Sequence, residues 1–167
     1  FPQCTIMEET LPSLDCKIEH IFISEGHNYI GHHGKPPGCN QIIEVKKIEC
    51  VAGRGLTGDR FFDHKENYKG QITFFEMEIY EKICNELNES GKVPSDFRRN
   101  VLTRGVDLNQ WIGKQFSLQG IKFEGVEECR PCYWMNQSFG PGAELALRNQ
   151  GGLRARILST GSLRVTL

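Results

Sequence analysis

The sequence predicts a mainly β domain of the α+β class. Three observations support this prediction. Short segments rich in β-branched residues alternate with turn residues along most of the chain, and only one long segment has clear helical periodicity. The 167 residues, 38% of them hydrophobic, are enough to form one hydrophobic core. Many short strands with one good helix are typical of a sheet-based fold that includes barrels.

The predicted strands follow from β-branched runs bounded by glycine, proline or asparagine. They cover residues 17–24, 41–51, 71–75, 100–103, 115–118, 121–126, 153–158 and 162–165. Two hairpins are expected. One turns at Gln119-Gly120, and a closing hairpin turns at Thr160-Gly161.

One helix is predicted over residues 76–87, because its apolar side chains recur at helical spacing. This apolar face contains Met77, Tyr80, Ile83, Cys84 and Leu87. Gly91 and Pro94 end the element. A second, short helix is expected within residues 141–149, before Gly151-Gly152. On this pattern Cys84 is a core residue.

The chain divides into an N-terminal arm, residues 1–16, and one domain, residues 17–167. A loop rich in glycine and proline spans residues 26–40, and loops of this length are usually functional or mobile. It carries His27, His32 and His33. Clustered histidines can bind metal or move protons, but exposed histidines without a function are the more common case.

Composition excludes several functional classes. The formal net charge of -1 provides no overall attraction to nucleic acid or membranes, and no apolar run approaches the length of a membrane span. The first fourteen residues lack the layout of a signal peptide. Seven scattered cysteines are an odd number, which favours reduced thiols over a disulfide scaffold. We therefore expect a cytoplasmic protein.

Of all the segments, Cys129-Arg130-Pro131-Cys132 is the one whose side chains are best suited to catalysis or metal binding. A thiolate is a nucleophile and a soft metal ligand, and the neighbouring Arg130 favours the thiolate form. A redox dithiol and a zinc site are both compatible with the spacing. The first requires a strand-helix context and the second about four ligands, and neither is evident. Taken alone, the motif favours a pair of buried cysteines.

Two groups of arginines suggest an anion site. Arg98 precedes a predicted strand, and Arg154 and Arg156 alternate within another, so both project from one face of it. Guanidinium groups bind phosphate or carboxylate in a bidentate manner. A solvated edge is the alternative for these side chains.

The turn Gly55-Leu56-Thr57-Gly58-Asp59-Arg60 could bring backbone N–H groups close to an anion. It lacks the spacing of phosphate-binding or dinucleotide-binding loops, so an ordinary tight turn is the simpler interpretation.

Together these segments resemble the MOSC domain, found at the C-terminus of molybdenum cofactor sulfurases and as stand-alone proteins. The matching stretches are residues 53–60, Phe97-Arg98-Arg99-Asn100, the segment 129–132 and residues 151–158. The resemblance is to the short stand-alone members and implies a fold built on a β-barrel like that of pyruvate kinase. The pyridoxal-phosphate domain of the large sulfurases has no counterpart in these 167 residues.

The resemblance also implies roles for individual residues. Cys132 would carry sulfur as a persulfide or ligate molybdenum of the pyranopterin cofactor. Arg98 and Asn100 would hold the anionic tail of the cofactor. The further cofactor-binding residues implied are Gly58, Asp59, Arg60, Arg154 and Arg156. Cys129 is not general to the family and is a candidate resolving thiol or second sulfur site.

Three functions follow as hypotheses. The first is a protein that binds the molybdenum cofactor, with reduction of N-hydroxylated compounds as a candidate activity. The second is a persulfide carrier or chaperone without enzymatic activity, with a cysteine desulfurase or redox protein as partner. The weakest is a dithiol redox or zinc protein. In none of these is a nucleic acid or membrane the expected partner.

Overall fold

The computed structural model of the protein describes residues 10–29 and 32–166. Within these residues the fold is mainly β, as predicted, with a few short helices. The strands are β1 (Lys17–Ser24), β2 (Ile42–Val45), β3 (Lys47–Val51), β4 (Gly55–Leu56), β5 (Ile72–Glu76), β6 (Val101–Arg104), β7 (Gln115–Leu118), β8 (Ile121–Glu128), β9 (Leu153–Ile157) and β10 (Gly161–Arg164). The α-helices are α1 (Met77–Glu86), α2 (Trp134–Ser138) and α3 (Ala143–Ala146). Two 3-10 turns cover Pro94–Phe97 and Leu108–Trp111.

The strands form two sheets, and the predicted barrel is wrong. Seven strands pair in the order β2-β1-β6-β5-β9-β8-β7, and three more in the order β10-β3-β4. A barrel requires the two end strands of a sheet to pair with each other. Across residues 10–29 and 32–166, β2 and β7 instead remain at opposite ends. The outer edge of β7 is taken by the segment before β1, since Leu14 N–H donates to Ser117 O at 2.7 Å.

The closing hairpin predicted around Thr160-Gly161 is also wrong. Strand β9 pairs with β5 and β8 in the large sheet, whereas β10 pairs with β3 in the small one. After β9 the chain does not turn back to pair with itself. Leu158 N–H and Ser159 N–H instead both donate to Lys122 O of β8, at 2.8 and 3.3 Å. Gly161 then begins a strand of the other sheet.

Residues 41–51, predicted as one strand, form two strands that belong to different sheets. Val45 pairs with Ile21 of β1, and Lys47 pairs with Arg164 of β10. Lys46 between them belongs to neither strand. The apolar alternation shifts by one residue at this break, from Ile43 and Val45 to Ile48 and Cys50, and this shift coincides with the change of sheet.

Several local predictions are confirmed. Strand β1 has the predicted bounds, β7 and β8 form the predicted hairpin, and α1 lies within the predicted helix. Helix α3 lies within residues 141–149. Helix α2 was not predicted. None of the helices in the described ranges is long and apolar enough to cross a membrane.

Strand β5 joins two hydrophobic clusters because its side chains alternate between the faces of the sheet. Phe74 packs edge-on against Phe123 in the larger cluster, with ring centroids 5.6 Å apart. Phe75 faces the other way and contacts Phe97, which stacks on Phe139 at 4.4 Å. Each fully buried phenylalanine contributes about 1.5–3 kcal/mol. This second cluster fixes the residues before β6 and those after α2 beside the candidate site.

The predicted boundary between arm and domain stays a prediction. Residues 1–9 lie outside the described part of the chain. Of the described residues before β1, Leu14 is buried in the larger cluster, so the last part of the predicted arm packs against the domain.

Candidate functional site

A cleft of about 190 Å³ collects most of the predicted site residues. It lies where the loop before β2, the turn after β4, the start of β6, strand β9 and the cysteine segment meet. The predicted residues that line it are Arg60, Arg98, Cys129, Cys132 and Arg154. These positions are up to 94 residues apart in sequence, so the fold brings them together.

Arg98 has an unusual backbone conformation at the cleft. It follows the 3-10 turn Pro94–Phe97 with φ 58° and ψ 37°, the left-handed region that side-chain-bearing residues rarely adopt. Its guanidinium lies over the Tyr29 ring, 5.1 Å from the centroid. Its Nη2 is buried and has no hydrogen-bond partner among the described residues. Burial, and then the nearby Arg60, lower the pKa of Arg98 to about 10.

Asp59 positions Arg60. The buried Asp59 carboxylate accepts hydrogen bonds from Ser24 N–H (3.0 Å), the Arg60 guanidinium (3.2 Å) and Phe61 N–H (3.3 Å). Arg60 also donates to Arg98 O at 3.4 Å. Burial lowers the pKa of Arg60, and Asp59 opposes that shift. The Gly-Asp turn therefore lies behind Arg60 and supports it.

Gly58 allows this turn to form. Its φ of +86° is in the left-handed region, where glycine carries no steric penalty. Gly58 and Asp59 thus support the turn and do not line the cleft. Of the predicted Gly58-Asp59-Arg60 group, Arg60 lines the cleft.

The Asn100 side chain forms hydrogen bonds to two neighbouring strands beneath the cleft. Its side-chain oxygen accepts from the backbone N–H and the hydroxyl of Thr73, each at 3.0 Å. Its amide donates to Phe22 O at 3.1 Å. These bonds tie β1, β5 and the start of β6 together. Asn100 thus supports the backbone that carries Arg98.

The two cysteines of the motif differ in exposure. Cys129 is buried just after β8, and its N–H donates to Gly152 O at 2.8 Å. Cys132 is exposed at the rim, immediately before α2. Gly151 allows the segment to lie this close, because a Cβ there would come within 2.2 Å of Cys129 O. Arg130 is exposed and faces a separate surface depression, away from the cleft.

The prediction that Arg154 and Arg156 share a face is confirmed, but only Arg154 reaches the cleft. Arg154 is partly buried, lines the cleft and lies 3.5 Å from Glu127. Arg156 pairs with Glu124 at 3.3 Å and donates to Asn67 O at 3.2 Å, farther along the strand.

Arg99 is a site residue that sequence reasoning did not single out. Its guanidinium donates to Gly151 O (3.0 Å), Phe97 O (3.1 Å) and Cys129 O (3.2 Å). It therefore binds the cysteine segment to the residues before β6. In the sequence, the adjacent pair Arg98-Arg99 indicates that arginines occur here. It does not show which of the two hydrogen-bonds to backbone carbonyls and which is directed at the cleft.

Comparison with known proteins identifies the family. The family model for the MOSC domain matches residues 32–166, which is most of the chain. The chain belongs to the MOSC domain family. This confirms the resemblance drawn from the sequence motifs and relates the protein to molybdenum cofactor biology.

Solved structures show the same fold at low sequence identity. YuaD from Bacillus subtilis is 16% identical, with a TM-score of 0.68 over 90% of this chain and 91% of that one. YiiM from Geobacillus stearothermophilus is 12% identical, with a TM-score of 0.63 over 89% and 71%. YiiM from Escherichia coli is 18% identical, with a TM-score of 0.59 over 87% of this chain but only 65% of that one. No curated protein sequence matches this chain.

Aromatic residues form two walls of the MOSC cleft. On one side Tyr29 lies 5.0 Å from Trp134, and on the other Phe61 stacks on Tyr68 at 5.5 Å. No local pattern in the sequence groups these four, because they come from three separate segments: the loop before β2, the connection between β4 and β5, and helix α2. His27 also lines the cleft, and its Nδ1 is buried without a partner among the described residues. Burial, and then Arg60, lower the pKa of His27, so its ring is neutral at pH 7.

The residues of the MOSC cleft fit an anionic cofactor. Four arginines line it, and the carboxylates of Asp59 beside Arg60 and of Glu127 beside Arg154 do not line it. A buried guanidinium N–H without an acceptor costs about 1–3 kcal/mol, and a phosphate oxygen would satisfy it. In contrast, no three His, Cys, Asp or Glu side chains of residues 10–29 and 32–166 converge as a metal site. This counts against the zinc alternative.

Proposed function

We propose that this MOSC domain binds the pyranopterin molybdenum cofactor in the cleft. The observation that carries the proposal is Arg98, whose buried Nη2 has no acceptor among the described residues and whose pKa is lowered to about 10 by burial and by Arg60. Cationic groups brought together in this way repel each other without a ligand. An anionic group between them removes that repulsion.

The side chains divide into two functions. Arg98, Arg60 and Arg154 bind the anionic tail, and Arg98 does so from a backbone held by Phe97 and Asn100. Cys132, exposed at the rim, provides a thiolate ligand for molybdenum, in line with the preference of soft metals for sulfur. When bound, the cofactor would supply oxidation-reduction at the metal, for which N-hydroxylated compounds are the candidate substrates.

The aromatic walls strengthen this binding. Tyr29, Trp134, Phe61 and Tyr68 exclude water from the sides of the cleft, and charge interactions are stronger where the local dielectric constant is low. The Tyr29 ring also holds the Arg98 guanidinium against its face, a contact worth about 0.5–2 kcal/mol.

The molybdenum and pterin content of purified protein tests the proposal. Wild type and Arg98→Ala would be isolated from cells that make the cofactor, with Arg164→Gln as a matched control, since Arg164 is exposed on β10. We expect near-stoichiometric molybdenum and pterin in wild type and Arg164→Gln, and little of either in Arg98→Ala. Wild type without either component, from cells replete in cofactor, would overturn the proposal.

Persulfide transport is a second candidate function, favoured by the exposure of Cys132. A sulfur carrier requires a thiol that a large donor protein can reach, and Cys132 lies at the rim next to an exposed Tyr133. Incubation with a cysteine desulfurase and cysteine should add one sulfur atom to Cys132, detectable by peptide mass spectrometry. Equal labelling of Cys132→Ser would rule out this function.

A further inference from the structure

We propose that Cys129 is a resolving thiol that attacks a persulfide on Cys132 and releases hydrosulfide, leaving a Cys129–Cys132 disulfide. The inference rests on the persulfide carrier function proposed for Cys132. It gives a role to the one thiol of the cleft that cofactor binding does not use.

The position of the two thiols supports this reaction. Both line the same cleft, three residues apart, and they differ in exposure. The exposed Cys132 is open to a donor, whereas the buried Cys129 is shielded from it. A donor protein would therefore load Cys132 first, and Cys129 would meet sulfur only from within the chain.

The short link between the thiols is held by few backbone hydrogen bonds. Pro131 has no N–H group, and the N–H groups of Arg130 and Cys132 donate no hydrogen bond to any described residue. The Cys129 end is anchored, because its N–H donates to Gly152 O and its carbonyl accepts from Arg99 at 3.2 Å. For Cys132 to approach a fixed Cys129, the backbone hydrogen bond that has to adjust is the one from Met135 N–H to Cys132 O, at 2.9 Å.

Arg154 provides the charge that a nucleophilic Cys129 needs. Burial lowers the pKa of Arg154, but the facing Cys129 sulfur reverses the direction, so that the pKa of Arg154 is raised above its ordinary value. Arg154 and Cys129 line the same cleft, so the guanidinium is placed to attract the charged sulfur that attacks and the hydrosulfide that leaves. Arg154 is here a positioning residue, because it acts through Cys129.

The reaction balances without an external oxidant. The Cys129 thiolate attacks the Sγ of Cys132, and a Cys129–Cys132 bond forms. The bond between Cys132 Sγ and the outer sulfur breaks, and the outer sulfur leaves as hydrosulfide with its own proton. The outer sulfur is reduced to the sulfide level and the Cys129 sulfur is oxidised to the same extent, while Cys132 Sγ keeps the oxidation level it had in the persulfide. An external dithiol, which is oxidised in turn, restores both thiols for another cycle.

Anaerobic loading with inorganic polysulfide tests the inference. Wild type, Cys129→Ser, Cys129→Ala and Cys132→Ser would be treated, desalted and followed by sulfide assay and peptide mass spectrometry. The exposed Cys39, in the loop before β2, offers the control variant Cys39→Ser. We expect wild type and Cys39→Ser to release about one hydrosulfide per chain and to contain the disulfide. Both Cys129 variants should keep the persulfide on Cys132.

Two outcomes separate this inference from the carrier function. If both Cys129 variants carry the Cys132 persulfide, but wild type retains it equally long, the resolving role is wrong and the carrier function stands. If Cys132 gains no sulfur in any variant, the carrier function itself fails. Transfer of the outer sulfur to Cys129 without release would also overturn resolution.

The charge requirement has its own test. Arg154→Gln should slow hydrosulfide release about tenfold, and Arg154→Lys should restore most of the rate. Equal slowing by both substitutions would show that Arg154 acts only through packing, which would remove the charge argument.

Discussion

At the scale of single residues, Arg98 shows what the cleft costs the free protein. A residue other than glycine in the left-handed region loses about 1–2 kcal/mol relative to ordinary helical geometry. Arg98 adopts this conformation and also buries, near Arg60, a guanidinium nitrogen that has no hydrogen-bond partner within residues 10–29 and 32–166. Stacking on Tyr29 offsets part of this cost, and the strain that remains at such a position indicates a function.

Arg98→Asn should therefore separate stability from binding. Asparagine tolerates the left-handed region, and the variant lacks the buried charge, so the free energy of unfolding should rise by about 1 kcal/mol despite the lost contact with Tyr29. Urea unfolding of protein freed of ligand measures this, and molybdenum content should fall. In the control Asn88→Gly, with φ 51° at an exposed position after α1, stability should change little and molybdenum content should not change. A less stable Arg98→Asn would contradict the strain argument.

At the scale of elements, the start of α1 is sensitive to pH. Glu76 is the half-buried residue that precedes α1. Burial, and then Asp107 and Glu78, raise its pKa from 4.5 to about 7. The folded state therefore holds a proton that the unfolded state has already lost. Ionisation of Glu76 consequently removes stability as the pH rises from about 4.5 to about 7, with no further loss above.

Glu76→Gln should remove this dependence. Because the site is only half-buried and solvent screens the charges, we expect a gain of about 1 kcal/mol at about pH 8 and almost none at about pH 5. Urea unfolding at both values measures the difference. Glu86→Gln, an exposed change on the same helix, is the control and should show no such trend. A gain of equal size at both pH values would show that ionisation of Glu76 is not the cause.

The secondary-structure elements show what could and could not be predicted from the sequence. Strand β1, helix α1 and the β7-β8 hairpin follow from local periodicity and turn residues, and all three are confirmed. The sheet assignment of β3 and β10 depends on pairing between residues more than 100 positions apart, such as Cys50 and Gly161. No local pattern contains that information. A barrel and a closing hairpin were therefore predicted where two sheets form.

The same limit applies to the candidate site. Alternation placed Arg154 and Arg156 on one face, and family motifs indicated Cys132 and Arg98. That Arg60 donates to the backbone of Arg98, or that Tyr29 and Trp134 form a wall, depends on tertiary contacts. Arg156 pairs with Glu124 and Asn100 supports the neighbouring strands. Both roles depend on which strands are neighbours, and the sequence does not show this.

At the scale of the whole molecule, charge is distributed unevenly. The chain carries a formal net charge of -1, yet four arginines line one cleft. Acidic residues outside the cleft balance part of this charge, since Glu127, which does not line the cleft, lies 3.5 Å from Arg154. An anion is therefore drawn to the cleft by local rather than overall charge, and short-range attraction of this kind is weakened by added salt.

Inorganic pyrophosphate should stabilise the whole fold, because the cleft is built from segments of the entire described chain. A ligand at about 100 times its dissociation constant adds about 2.7 kcal/mol to the free energy of unfolding. We expect pyrophosphate to raise the melting temperature of wild type and Arg164→Gln above that in sodium chloride of equal ionic strength. The increase should be lost in Arg98→Ala. Equal stabilisation of Arg98→Ala would place the anion elsewhere, because its binding would then not require the guanidinium whose Nη2 is buried without a partner in the part of the chain that the structure describes.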